Sequence, residues 1–331
     1  MSHCMDVYLT VDTEASIAGC FSNPERFQPL LSEPVDGLVQ GRSQALGFLL
    51  QTLQQSGLRA TFFTETLQSR YFGHEPMRLR AEQILEANQD LQLHVHPCWR
   101  NFTDGKVVKT EPDDHSTGRS VDELEAIFAE AIERFEAWSL GSPVAVRTGN
   151  FSAGRDTFQA LKRVGIKASS NISVPTCPPA DTGLHHLYGY QQIEGVLEVP
   201  LSAFNSFSVK GSKVLRPLAL TACSSAELIS VIEQAHQKGF EMLCLITHPF
   251  EFINRDSYRF DNMRPNPVNQ QRLTELCDFL ASNRDRFNVT TFGELDPLRP
   301  PSPTLSDSTL SGSYLAMLHR TAQNYYTDHF R

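Results

Sequence analysis

Two short segments carry residues whose types and spacing could do chemistry, Thr10-Val11-Asp12-Thr13-Glu14 and His94-Val95-His96-Pro97. Each places two potential metal ligands two residues apart at the end of an apolar, strand-like run. Side chains at i and i+2 of a strand point to the same face, so each pair converges on one side. Two histidines and a carboxylate are a common protein set for a divalent ion with open positions for water and substrate. Such an ion lowers the pKa of its bound water from about 15.7 to about 7, and a neighbouring carboxylate can then take the proton. The chemistry this set serves is hydrolysis.

The rest of the chain must bring these strand ends together. Strand patterns run over about 6–12, 60–63, 91–96, 144–148, 167–171, 197–200, 242–247 and 288–292, and they alternate with helical patterns over about 43–55, 76–88, 121–138, 156–164, 225–238 and 267–283. The clearest helix has Leu124, Ile127, Phe128, Ile132 and Phe135 at helical spacing behind a Ser120/Glu123 capping-box signature. Alternating strands and helices imply a parallel sheet. No Gly-rich phosphate loop follows the first strand, so a distorted (β/α) barrel of seven or eight mostly parallel strands is expected rather than a dinucleotide fold. In a barrel the chemistry gathers at the C-terminal strand ends, where Asp12, Glu14, His94, His96, Arg147 and His248 all fall.

The chain has 331 residues and 40% hydrophobic content, enough for one large barrel or two modest domains. Its 29 basic and 38 acidic residues give a net charge of -9, which argues against nucleic acid or an anionic membrane as a partner. No apolar stretch approaches the roughly 20 residues of a membrane helix, and the start lacks an export signal, so a cytoplasmic protein is expected. Seven scattered cysteines without a Cys-x-x-Cys fit reduced thiols. The barrel is expected over 1–296. Residues 15–43 read as a long polar loop suited to a lid or rim, and 297–331 as a Pro/Ser-rich linker with a short helix at about 314–326.

The ordered strand ends resemble the polysaccharide deacetylase family, also known as the NodB-homology domain or carbohydrate esterase family 4. The matching pieces are the acidic motif at Tyr8 to Glu14, the histidine motif at Leu91 to Pro97, Arg147-Thr-Gly-Asn150-Phe151 and Leu245-Ile-Thr-His248-Pro249. Gly57 to Phe63 and Val289 to Leu295 are similar to framework segments of that family, so the likeness spans about 6–295. The resemblance implies a metal-dependent barrel, usually with zinc, that removes an acyl group from an amino sugar. It implies Asp12 as base, His248 as acid and Arg147 as the residue orienting the base. Here the family's adjacent aspartate pair is replaced by Asp12-Thr13-Glu14, which makes Glu14 the metal ligand or, with the roles exchanged, the base. The family's i, i+4 histidine spacing is i, i+2 here, and position i+4 holds Cys98, so a His94, His96, Cys98 set is a further arrangement. No counterpart of the family's Asp-and-Trp motif is found.

Plainer readings stand beside these. Trp99 is a core cap or a sugar-stacking wall. Asn150 and Asn205 are candidate substrate hydrogen-bond donors, His185-His186 read as surface histidines, and Asp113-Asp114-His115 as a solvated loop. The expected substrate is a small, lipid-linked or nucleotide-linked carbohydrate precursor. The alternatives are a hydrolase of another C–N bond, such as a deformylase or cyclic amidohydrolase, a glycosidase on a related barrel, or a non-catalytic carbohydrate-binding barrel.

Overall fold

Strand alternation in β1 (Met5–Thr13) sets the two faces of the sheet. In the computed structural model, which describes residues 4–208, 210–305 and 308–329, Val7, Leu9 and Val11 pack outward into the helix-facing core while Tyr8 packs inward with Phe63, Tyr190, Cys244 and Phe292. Thr10 and Asp12 share the inward face of Tyr8. The other sheet strands are β2 (Thr61–Glu65), β3 (Asp90–Val95), β4 (Ala145–Thr148), β5 (Ala168–Ser169), β6 (Gln191–Ile193), β7 (Val196–Glu198), β8 (Met242–Thr247) and β9 (Phe287–Thr290).

Their spatial order is β6-β7-β5-β4-β3-β2-β1-β8, and every pairing is parallel except the β6–β7 hairpin. β8 covers one edge of β1. The other edge is shared, by β9 along Met5–Tyr8 and by β2 along Thr10–Thr13. Irregular backbone then links the ends of the sheet. The Leu201 and Ser202 N–H groups donate to the carbonyls of Ile172 and Cys244, and Ile246 donates to the Leu218 carbonyl while accepting from the Leu220 N–H. The expected distorted barrel is what the chain forms, curled and mostly parallel.

Helices α1 (Leu46–Ser56), α2 (Glu75–Glu86), α3 (Val121–Glu136), α4 (Arg155–Arg163), α5 (Ser225–Gln237) and α6 (Pro267–Ala281) follow the strands, with α7 (Tyr314–His329) at the end. α3 starts where Ser120 and Glu123 cap each other, and it buries Leu124, Ile127, Phe128, Ala131 and Phe135 on one face. Each such large side chain contributes about 1.5–3 kcal/mol. α5 begins with the same capping box, and its Glu227 also receives Arg320 of α7 at 2.8 Å. Between them the chain after Pro297 lies along the barrel, with Ser302 N–H on the Tyr190 carbonyl and Gln234 Nε2 on the Ser311 carbonyl. Among the described residues, no helix is long and apolar enough to cross a membrane.

Residues 15–43 differ from the polar loop expected. Ala15, Ala18, Cys20, Leu31 and Val35 are buried, a short helix spans Ser32–Val35, and Leu38–Val39 pairs with Arg42–Ser43. The apolar residues are spaced irregularly, which hides them from a periodicity argument, yet they dock the segment as a fixed rim. Also unforeseen are β6 and the Ala203–Phe207/Lys213–Pro217 hairpin, both too short or too polar to register as strands.

Candidate metal centre and active site

The parallel register lines up Glu65, His94 and Arg147 across β2, β3 and β4, beside the end of β1. Three imidazoles meet there, and each is anchored through Nδ1. His94 Nδ1 lies 2.9 Å from the Arg147 carbonyl, which can only accept, so Nδ1 carries the proton and Nε2 is left with its lone pair. His96 Nδ1 lies 2.7 Å from Asp114 Oδ2, and His248 Nδ1 lies 3.0 Å from Glu251 Oε1. An Nδ1–H held by a carbonyl or carboxylate fixes tautomer and ring orientation, as in metal-ligating histidines.

The Nε2 atoms face carboxylates. Glu14 Oε2 sits 2.6 Å from His96 Nε2 and 3.3 Å from His94 Nε2, and the ligand atoms of Glu14, His94 and His96 converge within 4.8 Å of one another. Two imidazoles and a carboxylate are a fitting donor set for a divalent ion. Asp12 is placed differently. Its Oδ1 receives Arg147 Nη1 at 2.6 Å, while its Oδ2 stands 3.9 Å from His94 Nε2 and 4.0 Å from His248 Nε2. The carboxylate thus lies between the convergent ligands and the third histidine.

Arg147 is fully buried and fully engaged. Besides Asp12 it reaches Thr10 Oγ1, the Ser170 carbonyl and Ser170 Oγ, and it lies over the Phe63 ring at 4.4 Å. A buried charge with these partners is expensive to leave unpaired, by about 3–5 kcal/mol, so the Asp12–Arg147 pair is held in one geometry.

Electrostatics follow the same pattern. Burial would raise the Glu14 carboxyl, but the adjacent His96 and His94 hold it well below the usual range. Burial would lower the His96 imidazole, but Glu14 and Asp114 push it well above. For His248, burial is outweighed by Glu251, then by Asp12 and Glu14, and its pKa rises to about 9. Burial lifts Glu65 to about 7, the histidines and two backbone N–H groups offsetting part of the effect.

Among solved structures, the chain is similar to a Mycobacterium smegmatis protein assigned as a polysaccharide deacetylase, with TM-score 0.55 and 16% identity over 93% of this chain and 96% of that one. The chain has the polysaccharide deacetylase fold. A PuuE allantoinase shares this deacetylase fold with TM-score 0.50 and 12% identity over 88% of each chain. A family 4 carbohydrate esterase from Streptomyces lividans is also similar, at TM-score 0.45 and 10% identity over 91% of this chain and 98% of that one. No family model and no curated protein matches the sequence.

Within the deacetylase fold, Asp12, Glu14, His94, His96, Arg147 and His248 come together, and other expected residues do not. Cys98 stands beside His96 but outside the Glu14, His94, His96 group. Pro97 opens a 3-10 turn that ends strand alternation, and the Cys98 thiol groups instead with His96 and Asp114. Trp99 is 1% exposed and packs against Phe72 and Phe102, so it is core and offers no stacking wall. Asn150 donates to Asp114 Oδ2 at 2.8 Å, one step behind His96. Asn205 pairs through its backbone with Leu310. His185 and His186 border a cavity with Gly239–Glu241, which precede β8 and therefore lie at the end of the barrel opposite the site.

Three carboxylates of the site were not expected. Asp114 turns out of a polar loop to accept from His96, from Cys98 N–H at 3.2 Å and from Asn150. Nothing in its sequence neighbourhood gives that direction. Glu65 accepts the backbone N–H groups of His96 and, at 2.7 Å, Leu67. Its position two residues after the inward-facing Phe63 at a strand end was a usable signal. Glu251 follows His248 by three residues in a 3-10 turn, a spacing that stacks side chains.

Proposed function

We propose that this protein is a metal-dependent amide hydrolase that removes an N-acyl group, most simply N-acetyl, from an amino sugar or a sugar-containing precursor. The observation that carries the reading is the trio of Nδ1-anchored imidazoles, two facing Glu14 and one facing Asp12. A divalent ion held by Glu14, His94 and His96, zinc being the expected one, would supply a water of lowered pKa and polarise the amide carbonyl.

The chain's own groups divide the proton transfers. Asp12 Oδ2 is the free oxygen of a carboxylate whose other oxygen is fixed by Arg147, which suits it to accept the proton of the attacking water. His248, held charged near neutrality by Glu251, donates from Nε2 to the departing nitrogen. Arg147 cannot lose its proton, and its bond to Oδ1 keeps Asp12 oriented. Asp114 and Asn150 hold His96 in place.

The likeness to an allantoinase favours one second reading, opening of a cyclic amide by the same groups. Chromatography of products from metal-loaded protein with acetamido sugars, N-formyl sugars and cyclic ureides separates the two. Acetate from an acetamido sugar, released at least about a hundredfold more slowly by the Asp12→Asn variant, is expected. A ring-opened ureide with no acetate from any sugar would replace the deacetylase reading.

A further inference from the structure

The rim beside His248 carries positive charge that forms no ion pair among the described residues. The His248 ring stacks on Phe250, with centroids 4.9 Å apart and planes at 26°, and the Arg255 guanidinium lies over that same Phe250 ring at 5.2 Å and over Phe260 at 4.0 Å. Those two steps bound the distance from Arg255 to the proposed acid, which is the scale of one sugar ring and a substituent. Four residues further along the chain, Arg259 lies over Phe27 at 4.6 Å and donates to the Ala18 carbonyl, and Arg26 lies over the same Phe27 at 5.2 Å.

Among the described residues, none of these three guanidinium groups forms an ion pair, although the chain carries a net charge of -9 and most of its arginines are paired. The carboxylates of the same loop are engaged elsewhere. Asp256 takes Arg264 at 2.8 Å and Asn262 at 2.9 Å, and Asp261 takes Ser257 at 2.6 Å. Arg255 is solvent-reachable but lies on apolar rings, which hold its planar fork while leaving the N–H edges open. Such an edge recognises the oxygens of a phosphate or carboxylate.

We infer that Arg255, supported by Phe250 and Phe260, binds an anionic substituent of the substrate, so that the amide hydrolysed belongs to a phosphorylated or carboxylated compound. This inference rests on the reading of His248 as the acid of the same site. It assigns Arg255 to substrate selection, and a neutral acetamido sugar is then a poor ligand.

Calorimetric titration of the metal-loaded protein with N-acetylglucosamine, N-acetylglucosamine 6-phosphate and N-acetylmuramic acid tests it, because binding is read without turnover. One of the two anionic compounds should bind at least about tenfold more tightly than the neutral sugar, the phosphate and carboxylate arms telling the two sources apart. Arg255→Gln should remove that preference, whereas Arg163→Gln, an equal charge change on the outer face of α4, should keep it. Equal binding of all three compounds, or a preference that survives Arg255→Gln, overturns the inference. Acetate release measured alongside separates the two proposals: anion-dependent binding without acetate removes the deacetylase reading alone, and acetate release without anion preference removes this inference alone.

Discussion

Replacing Gly149 by Ala should disable the site through a single methyl group. Gly149 follows β4, and a Cβ built on it would stand 2.6 Å from His96 Cγ and closer still to Nδ1 and Cε1. Its backbone is not in the left-handed region, so alanine is tolerated by the main chain and the whole effect falls on the imidazole. Ordinary contact between such atoms begins near 3.5 Å, so the ring must retreat by about 1 Å. That retreat lengthens the 2.7 Å bond to Asp114 and the 2.6 Å approach to Glu14 together. Loss of such a supporting bond typically costs about 10–100-fold in metal affinity, and overpacking adds about 1–3 kcal/mol of instability. Chelator competition on the folded variant gives the affinity, with Gly154→Ala, whose Cβ meets nothing within 4 Å, as the control. In a His96→Ala background the second substitution should cost nothing more, since the ring it displaces is gone. An unchanged metal affinity in Gly149→Ala, or a full extra loss in the His96→Ala background, would refute the reasoning.

Three further outcomes can be measured. Asp12→Asn keeps an acceptor for Arg147 but loses the base, so turnover should fall about 10²–10⁴-fold while most metal is retained by elemental analysis; loss of the metal would instead make Asp12 a ligand. Asp114→Asn should weaken metal binding by about 10–100-fold with little change in the thermal midpoint. The raised pKa of His248, about 9 against about 6.5 in the unfolded chain, makes the proton bind more tightly to the folded state. In metal-free protein its stabilising contribution is therefore complete below about 6.5 and lost as pH rises through about 9, and Glu251→Gln should move that loss toward lower pH in denaturation curves.

The sequence made the strand ends legible because their chemistry is coupled to a simple period. Asp12 and Glu14, and His94 and His96, share faces by i, i+2 spacing, and the barrel rule put Arg147 and His248 at the same end. The turns and loops beyond the strand ends were less legible. Cys98 falls with His96 and Asp114 rather than with His94 because Pro97 starts a 3-10 turn, and Trp99 went into the core with Phe72 and Phe102. Asp114 entered the site from a loop without periodicity, since its direction depends on His96, Cys98 and Asn150, which tertiary folding brings to it. The burial of the 15–43 rim, read as a polar loop, was illegible for the same reason: Cys20, Leu31 and Val35 are buried by contacts distant in sequence.

Metal-dependent deacetylation is tested most directly by a zinc titration of chelator-dialysed protein while acetate release from acetamido sugars, including their phosphorylated forms, is followed. No acetate should form without metal, and its release should rise and saturate at about one equivalent. Acetate release that is indifferent to chelation and to added zinc would contradict it.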